Sequence, residues 1–185
     1  MSSRRQSLRL CVKSYISGDH SAFQCLKELG LISEREPPSR GYVLYKALKC
    51  GIDVIDYAKY LDWREFEEFI RNVFIEFGFN VVSNLRLNCG GGAEFDVVAW
   101  NRQVVYVVEA KKWKSGAWRE VAASHLEKTR RCLSWLLAFA PLVVPLVIST
   151  GVSLISNRVP IVSIEKIGDF LTSFNNFKDK VVILY

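Results

Sequence analysis

From residue 62 onward the chain switches between two spacings of apolar residue. Asp62 to Phe77 sets Trp63, Phe66, Phe69, Ile70, Val73, Phe74 and Phe77 at i, i+3, i+4 and i+7, which predicts an amphipathic helix that Gly78 ends. Val81 to Leu87 predicts a strand. Val97 to Ala99 and Val104 to Val108 then flank the polar break Asn101-Arg102, a hairpin pattern. Trp118 to Phe139 returns to helical spacing, with Leu126, Leu133, Leu136 and Leu137 inward. Leu142 to Ser149 and Val159 to Ile164 are continuous apolar runs, as expected of strands buried on both faces. Ile167 to Phe174 predicts a short helix, and Val181 to Tyr185 an edge strand. The order from Asp62 is helix, three strands, helix, strand, strand, which implies an α/β fold with a mixed sheet flanked by helices.

Before this lies a different pattern. Gln6 to Ile16 and Ser21 to Leu29 have helical spacing, with Ser21 placed to cap the second. Glu34 to Gly41 is rich in turn residues, and Tyr42 to Cys50 and Val54 to Tyr60 predict two more short helices. The expected division is a small helical unit at 1–60 and a main domain at 61–185. Leu26 to Ser33 followed by Arg40 to Leu44 is similar to the helix and wing of winged-helix DNA binders. The competing reading is a helical cap on the main domain.

Composition narrows the function classes. Half of the 185 residues are hydrophobic, enough for one substantial core. Leu133 to Ile148 is interrupted by Pro141 and Pro145, so no membrane span is expected, and the polar, basic start does not resemble a signal peptide. The expected compartment is the cytoplasm. Five cysteines without a CxxC pair, and two histidines, argue against structural zinc and read as buried thiols. A net charge of +6 fits a polyanionic partner.

The chemistry concentrates at the open end of the hairpin. Side chains alternate faces along a strand, so parity decides which charges meet. A two-residue loop sets Glu94 opposite Glu109, with Asp96 one diagonal step away on the same face. A four-residue loop sets Asp96 opposite Glu109, and a three-residue loop breaks the parity. With either even loop, Asp96, Glu109 and Lys111 share one face. Carboxylates that close repel one another, and a divalent cation is the usual reason to gather them; Mg²⁺ favours one or two carboxylates with waters and phosphate oxygens. A Glu109–Lys111 surface pair is the plainer alternative. On the helical wheel of the first long helix, Glu67 sits at the edge of the apolar stripe, as does Glu65, whereas Glu68 points outward. The glycines at 90–92 read as a turn and not as a phosphate cradle.

Taken together, these residues resemble the PD-(D/E)XK nuclease superfamily, which has the restriction endonuclease-like fold with an αβββαβ core. The likeness is to its Mrr-type restriction endonucleases and archaeal Holliday-junction resolvases. WREFEEFIRNVFIEFGFNVV is similar to the first helix, in which a Phe-Glu pair precedes Gly-Phe by about eleven residues. That spacing points to Glu67. AEFDVVAW supplies Asp96, and VVEAKKW supplies Glu109 and Lys111. The resemblance runs from about Trp63 to Ile164. Phe95-Asp96 replaces the eponymous Pro-Asp, and Glu94 is a candidate accessory carboxylate.

The resemblance implies Mg²⁺- or Mn²⁺-dependent hydrolysis of a DNA phosphodiester. Asp96, Glu109 and the carbonyl of Ala110 would hold the metal, with Glu67 reaching it directly or through water. Lys111 would orient or deprotonate the attacking water, or steady the developing charge. From Lys111 to Arg131 seven basic residues oppose Glu120 and Glu127. Of these, Lys112 and Lys114 are the candidate DNA-backbone contacts, while Lys128, Arg130 and Arg131 read as a solvated helix face and His125 as structural. The resemblance also allows a homodimer, since two strands must be cut. Two alternatives stand beside this reading: a nuclease-fold module that binds nucleic acid without cutting it, and an interaction protein with an incidental acidic cluster.

Overall fold

The computed structural model describes residues 2–112 and 116–185, so Trp113 and Lys114 lie outside the described residues. The chain divides into two compact units, 1–72 and 73–185.

The first unit is helical: α1 (Ser2–Ile16), α2 (Phe23–Glu28), α3 (Arg40–Lys49), α4 (Ile55–Ala58) and the opening turns of α5 (Trp63–Glu76). α2 has no side-chain cap of its own, and the 3₁₀ turn that leads into it, His20–Ala22, is capped by Asp19 and not by Ser21. Its Oδ1 accepts the Ser21 N–H at 3.0 Å, and a carboxylate is a stronger acceptor there than a hydroxyl. Arg40 to Leu44, the expected wing, forms the opening of α3, with Ser39 Oγ accepting the Tyr42 N–H. The start of α5 is a reciprocal cap: Asp62 Oδ1 accepts the Glu65 N–H at 2.8 Å, and Glu65 Oε2 accepts the Asp62 N–H at 2.9 Å. Glu65 also takes Arg40 in a two-pronged pair at 2.8 and 2.7 Å.

Gly41 records how closely α3 approaches that turn. A Cβ at Gly41 would overlap the backbone carbonyl of Glu65, which has no freedom to swing away. Gly41→Ala is expected to cost about 2 kcal/mol or more of folding stability. A lowered urea midpoint would report it, and an unchanged midpoint would mean that the two backbones have room to part.

The second unit is built on a six-stranded mixed sheet ordered β1-β2-β3-β4-β6-β5. Its strands are β1 (Asn80–Leu87), β2 (Ala93–Trp100), β3 (Val104–Lys111), β4 (Leu142–Ser149), β5 (Leu154–Ser156) and β6 (Val159–Ser163). The meander β1-β2-β3 is antiparallel, whereas β3, β4 and β6 run parallel. Three differences from expectation have local causes. The expected helix over 118–139 breaks at Cys132 into α6 (Trp118–Arg131) and α7 (Leu133–Leu136). A short β5 precedes β6 through Asn157-Arg158, both at positive φ, the turn geometry that matches strand twist. The C-terminal run adds one bridge, Val143 to Leu184, and no strand. Pro145 falls between that bridge and the β6 pairing that begins at Val147, so its missing N–H breaks no ladder.

Both faces of the sheet are covered. One carries Phe95, Val98, Val105 and Val107 against Cys132 and Leu136, and Val147 and Ile161 against Ala122 and Leu126 of α6. On the other, Tyr106 is ringed by Phe74, Phe79, Phe170 and Phe174, with centroids 5.4–6.0 Å away. Phe170 belongs to α8 (Ile167–Ser173). The two ends of the α5 stripe are more open than its period implies, with Trp63 and Phe77 at 48% and 39% exposure.

The cysteines also depart from expectation. Cys11 pairs with Cys25 and Cys89 with Cys132, leaving Cys50 free and exposed. Pairing depends on Cα separations of 6.1 and 5.2 Å, which intervals of 14 and 43 residues cannot disclose.

Candidate active site

The β2–β3 hairpin takes the register expected of a four-residue loop, and within it the Asn101 N–H donates to the Val104 carbonyl at 3.1 Å. Trp100 pairs with Val105, Val98 with Val107 and Val97 with Val108, and Asp96 lies one residue past the end of this ladder, close enough to be repelled by the Glu109 charge. The connection is held by Asn101, whose Oδ1 accepts the N–H groups of Gln103 and Val104 at 2.8 and 3.0 Å. Beyond Val97 the backbone ladder stops. There Asp96 Oδ2 accepts the Ala110 N–H at 2.7 Å, so a side chain satisfies the next donor on β3.

Glu109 is the centre of the charge cluster. Lys111 Nζ donates to its Oε1 at 2.6 Å and Lys128 Nζ to its Oε2 at 2.7 Å. Lys128 also donates to the carbonyl of Glu94 at 2.9 Å and lies 5.0 Å above the ring of the fully buried Phe95. Burial pushes the Glu109 carboxyl upward, but the two ammonium groups outweigh it and hold the acid down to about 2. Asp96 moves the other way. Burial raises it, the Ala110 N–H opposes that, and the nearby Glu109 charge adds to the rise.

His125 closes the floor of this pocket. Its Nε2 is 2.8 Å from the Val107 carbonyl, which only accepts, so the proton is on Nε2. Nδ1 is then a lone pair, buried without a hydrogen-bond partner and 3.6 Å from Glu109 Oε2. Burial lowers the imidazole to about 4, so it is neutral at pH 7. The opening, about 310 Å³, is bordered by Glu109, Lys111, Glu120, Ser124, His125 and Lys128.

The expected residues therefore divide. Asp96, Glu109 and Lys111 come together at the end of the hairpin. Glu94 turns its carboxylate to Arg86 at 3.0 Å on the surface and contributes only its carbonyl to Lys128. Glu67 lies half-buried on α5, within the first unit, and Glu68 is half-buried as well, not pointing clear of the helix. Lys112 follows β3, half-buried, and Lys114 is outside the described residues.

Lys128 corrects the expectation of a solvated face: its side chain is only 22% exposed and is committed to Glu109. A signal was present, since Val121, Ser124, His125 and Lys128 recur at i, i+3, i+4 and i+7 on α6. That stripe mixes polar with apolar residues and so fails a search for an apolar face.

The donor set suits a hard divalent cation. Two carboxylates on neighbouring strands, with the Glu94 carbonyl near the cluster, match the one or two carboxylates that Mg²⁺ takes alongside waters and phosphate. Among the described residues no group of three or more His, Cys, Asp and Glu side chains is placed to hold a metal ion.

No helix among the described residues is long and apolar enough to cross a membrane. No curated protein matches the chain. A crystallised protein of unknown function, AF1548, aligns with a TM-score of 0.41 and 16% identity over 48% of this chain and 47% of its own. Residues 62–150, the segment that holds α5, the hairpin, α6 and β4, match the family model NERD, a nuclease-related domain.

Proposed function

We propose that this protein is a divalent-metal-dependent DNA endonuclease, cutting phosphodiester bonds in a restriction-like or junction-resolving role. The observation that carries the reading is the meeting of Asp96, Glu109 and Lys111 at one end of a hairpin inside the nuclease-related segment. Asp96 and Glu109 would hold Mg²⁺ or Mn²⁺, which supplies Lewis acidity at the scissile phosphate and a more acidic water. Asp96 would be kept in place for this by the Ala110 N–H, which fixes one carboxylate oxygen. Lys111, on the strand that carries Glu109, would steady negative charge on the phosphoryl oxygens or orient the attacking water. Glu67 enters on its place at the edge of the apolar stripe and on the resemblance, Lys112 and Lys114 on the basic run that follows the motif, and a dimer that would cut both strands on the resemblance alone.

Plasmid nicking with Mg²⁺, across duplex, single-stranded and four-way-junction DNA, tests the reading. Wild type is expected to cut at least one of them, and chelation, Asp96→Ala or Lys111→Ala to stop it. Binding without cutting on every substrate would leave a nucleic-acid-binding module, and absence of DNA affinity at low salt an interaction protein.

A further inference from the structure

We propose that Lys128 is a built-in counter-cation, which a divalent metal must displace from Glu109, so that α6 sets the metal affinity of the site. This rests on the reading of Asp96 and Glu109 as metal ligands. Both oxygens of Glu109 carry an ammonium, Lys111 on Oε1 and Lys128 on Oε2. A metal that needs a Glu109 oxygen therefore competes with a resident positive charge at either one.

Lys128 has partners to fall back on. Its ammonium sits where a cation would, between a carboxylate oxygen at 2.7 Å and the Glu94 carbonyl oxygen at 2.9 Å. That carbonyl and the Phe95 ring remain as partners once Glu109 is given up, so release costs one charge-assisted bond and leaves the ammonium paired. The unpartnered Nδ1 of His125 is a second, independent observation. It faces Oε2 at 3.6 Å, the oxygen that Lys128 holds, so whichever cation occupies that oxygen, Lys128 or the metal that replaces it, also lies beside this lone pair. Asp96 and Glu109 against Lys111 and Lys128 sum to zero formal charge. An arriving metal would make the cluster +2, a charge that a substrate phosphate would then offset. Metal and DNA would accordingly bind with mutual reinforcement.

Lys128→Met keeps the stem over Phe95 and removes the charge. Titration calorimetry with Mn²⁺ alone is expected to show about tenfold tighter binding than wild type. In the wild-type protein, acetylation of Lys128 by an amine-reactive ester, read by mass spectrometry, is expected to speed up several-fold when Mn²⁺ is added. This second readout does not depend on a variant that folds. Unchanged or weaker Mn²⁺ binding by Lys128→Met, or Lys128 labelling indifferent to Mn²⁺, overturns the proposal and leaves the nuclease reading in place. Failure of both proteins to bind Mn²⁺ at millimolar concentration removes both.

Discussion

If the proposed function holds, Asp96→Asn is expected to lower DNA cleavage by about a thousandfold or more, and at the same time to raise the melting temperature at pH 7. The two effects come from one cause. Burial and the neighbouring Glu109 lift the Asp96 acid above its ordinary value, so its ionised form is less comfortable in the fold than in the unfolded chain. At neutral pH the folded protein carries that penalty. Asparagine removes the charge while its side-chain oxygen still accepts the Ala110 N–H, so the hairpin end keeps its one structural bond. Glu109 makes the contrast. It is held down to about 2 by two ammonium groups, so its charge belongs to the folded state and its loss destabilises. Calorimetric melting and a cleavage time course on the same preparation check the claim. Cleavage within tenfold of wild type would remove Asp96 from the metal set, and a lower melting point would show that its carboxylate is worth more to the fold than burial costs it.

The second large effect is a pH dependence from His125. Its folded value, lowered to about 4 by burial, lies below the ordinary 6.5, so the unfolded chain takes up a proton where the folded one does not. Its contribution is fully present above 6.5 and is lost as pH falls from there towards 4. The loss amounts to roughly 3 kcal/mol over that interval. Glu109 does not interfere in most of this window, because its own contribution is complete above its ordinary 4.5 and declines only below that. His125→Phe fills the ring site without a titrating group, at the cost of the bond to the Val107 carbonyl. Urea unfolding at several pH values between 4 and 7 should give wild type a steeper slope than the variant. Parallel slopes would mean that the imidazole is not the group that takes up the proton on unfolding.

Much of this molecule is legible in its residues one at a time. The seven-residue apolar stripe from Trp63 to Phe77 could only be an amphipathic helix, and two β-branched runs around Asn101-Arg102 could only be a hairpin, because each pattern has a single period that suits it. The same two-residue period predicts Asp96, Glu109 and Lys111 on one face for any even loop, but the ladder ends at Val97, and Phe95 and Val98 pack into the same cluster, so strict alternation does not carry through Asp96. Whether the loop held two residues or four was beyond the period, and the Asn101 side chain, by holding Gln103 and Val104, decided for four.

What the linear order could not hold was contact between elements far apart in it. Lys128 follows Glu109 by 19 residues, and its charge looks solvated until α6 packs across β3 and Phe95. His125 is legible as buried, but its orphaned nitrogen exists only because Val107 supplies an acceptor to the other one. Cys89 and Cys132 are scattered in the chain and adjacent in the fold for the same reason. Local spacing is determined by backbone geometry, which every residue carries with it. The partner of a charge or a thiol is determined by which helix the sheet buries beneath it, and only the tertiary structure decides that.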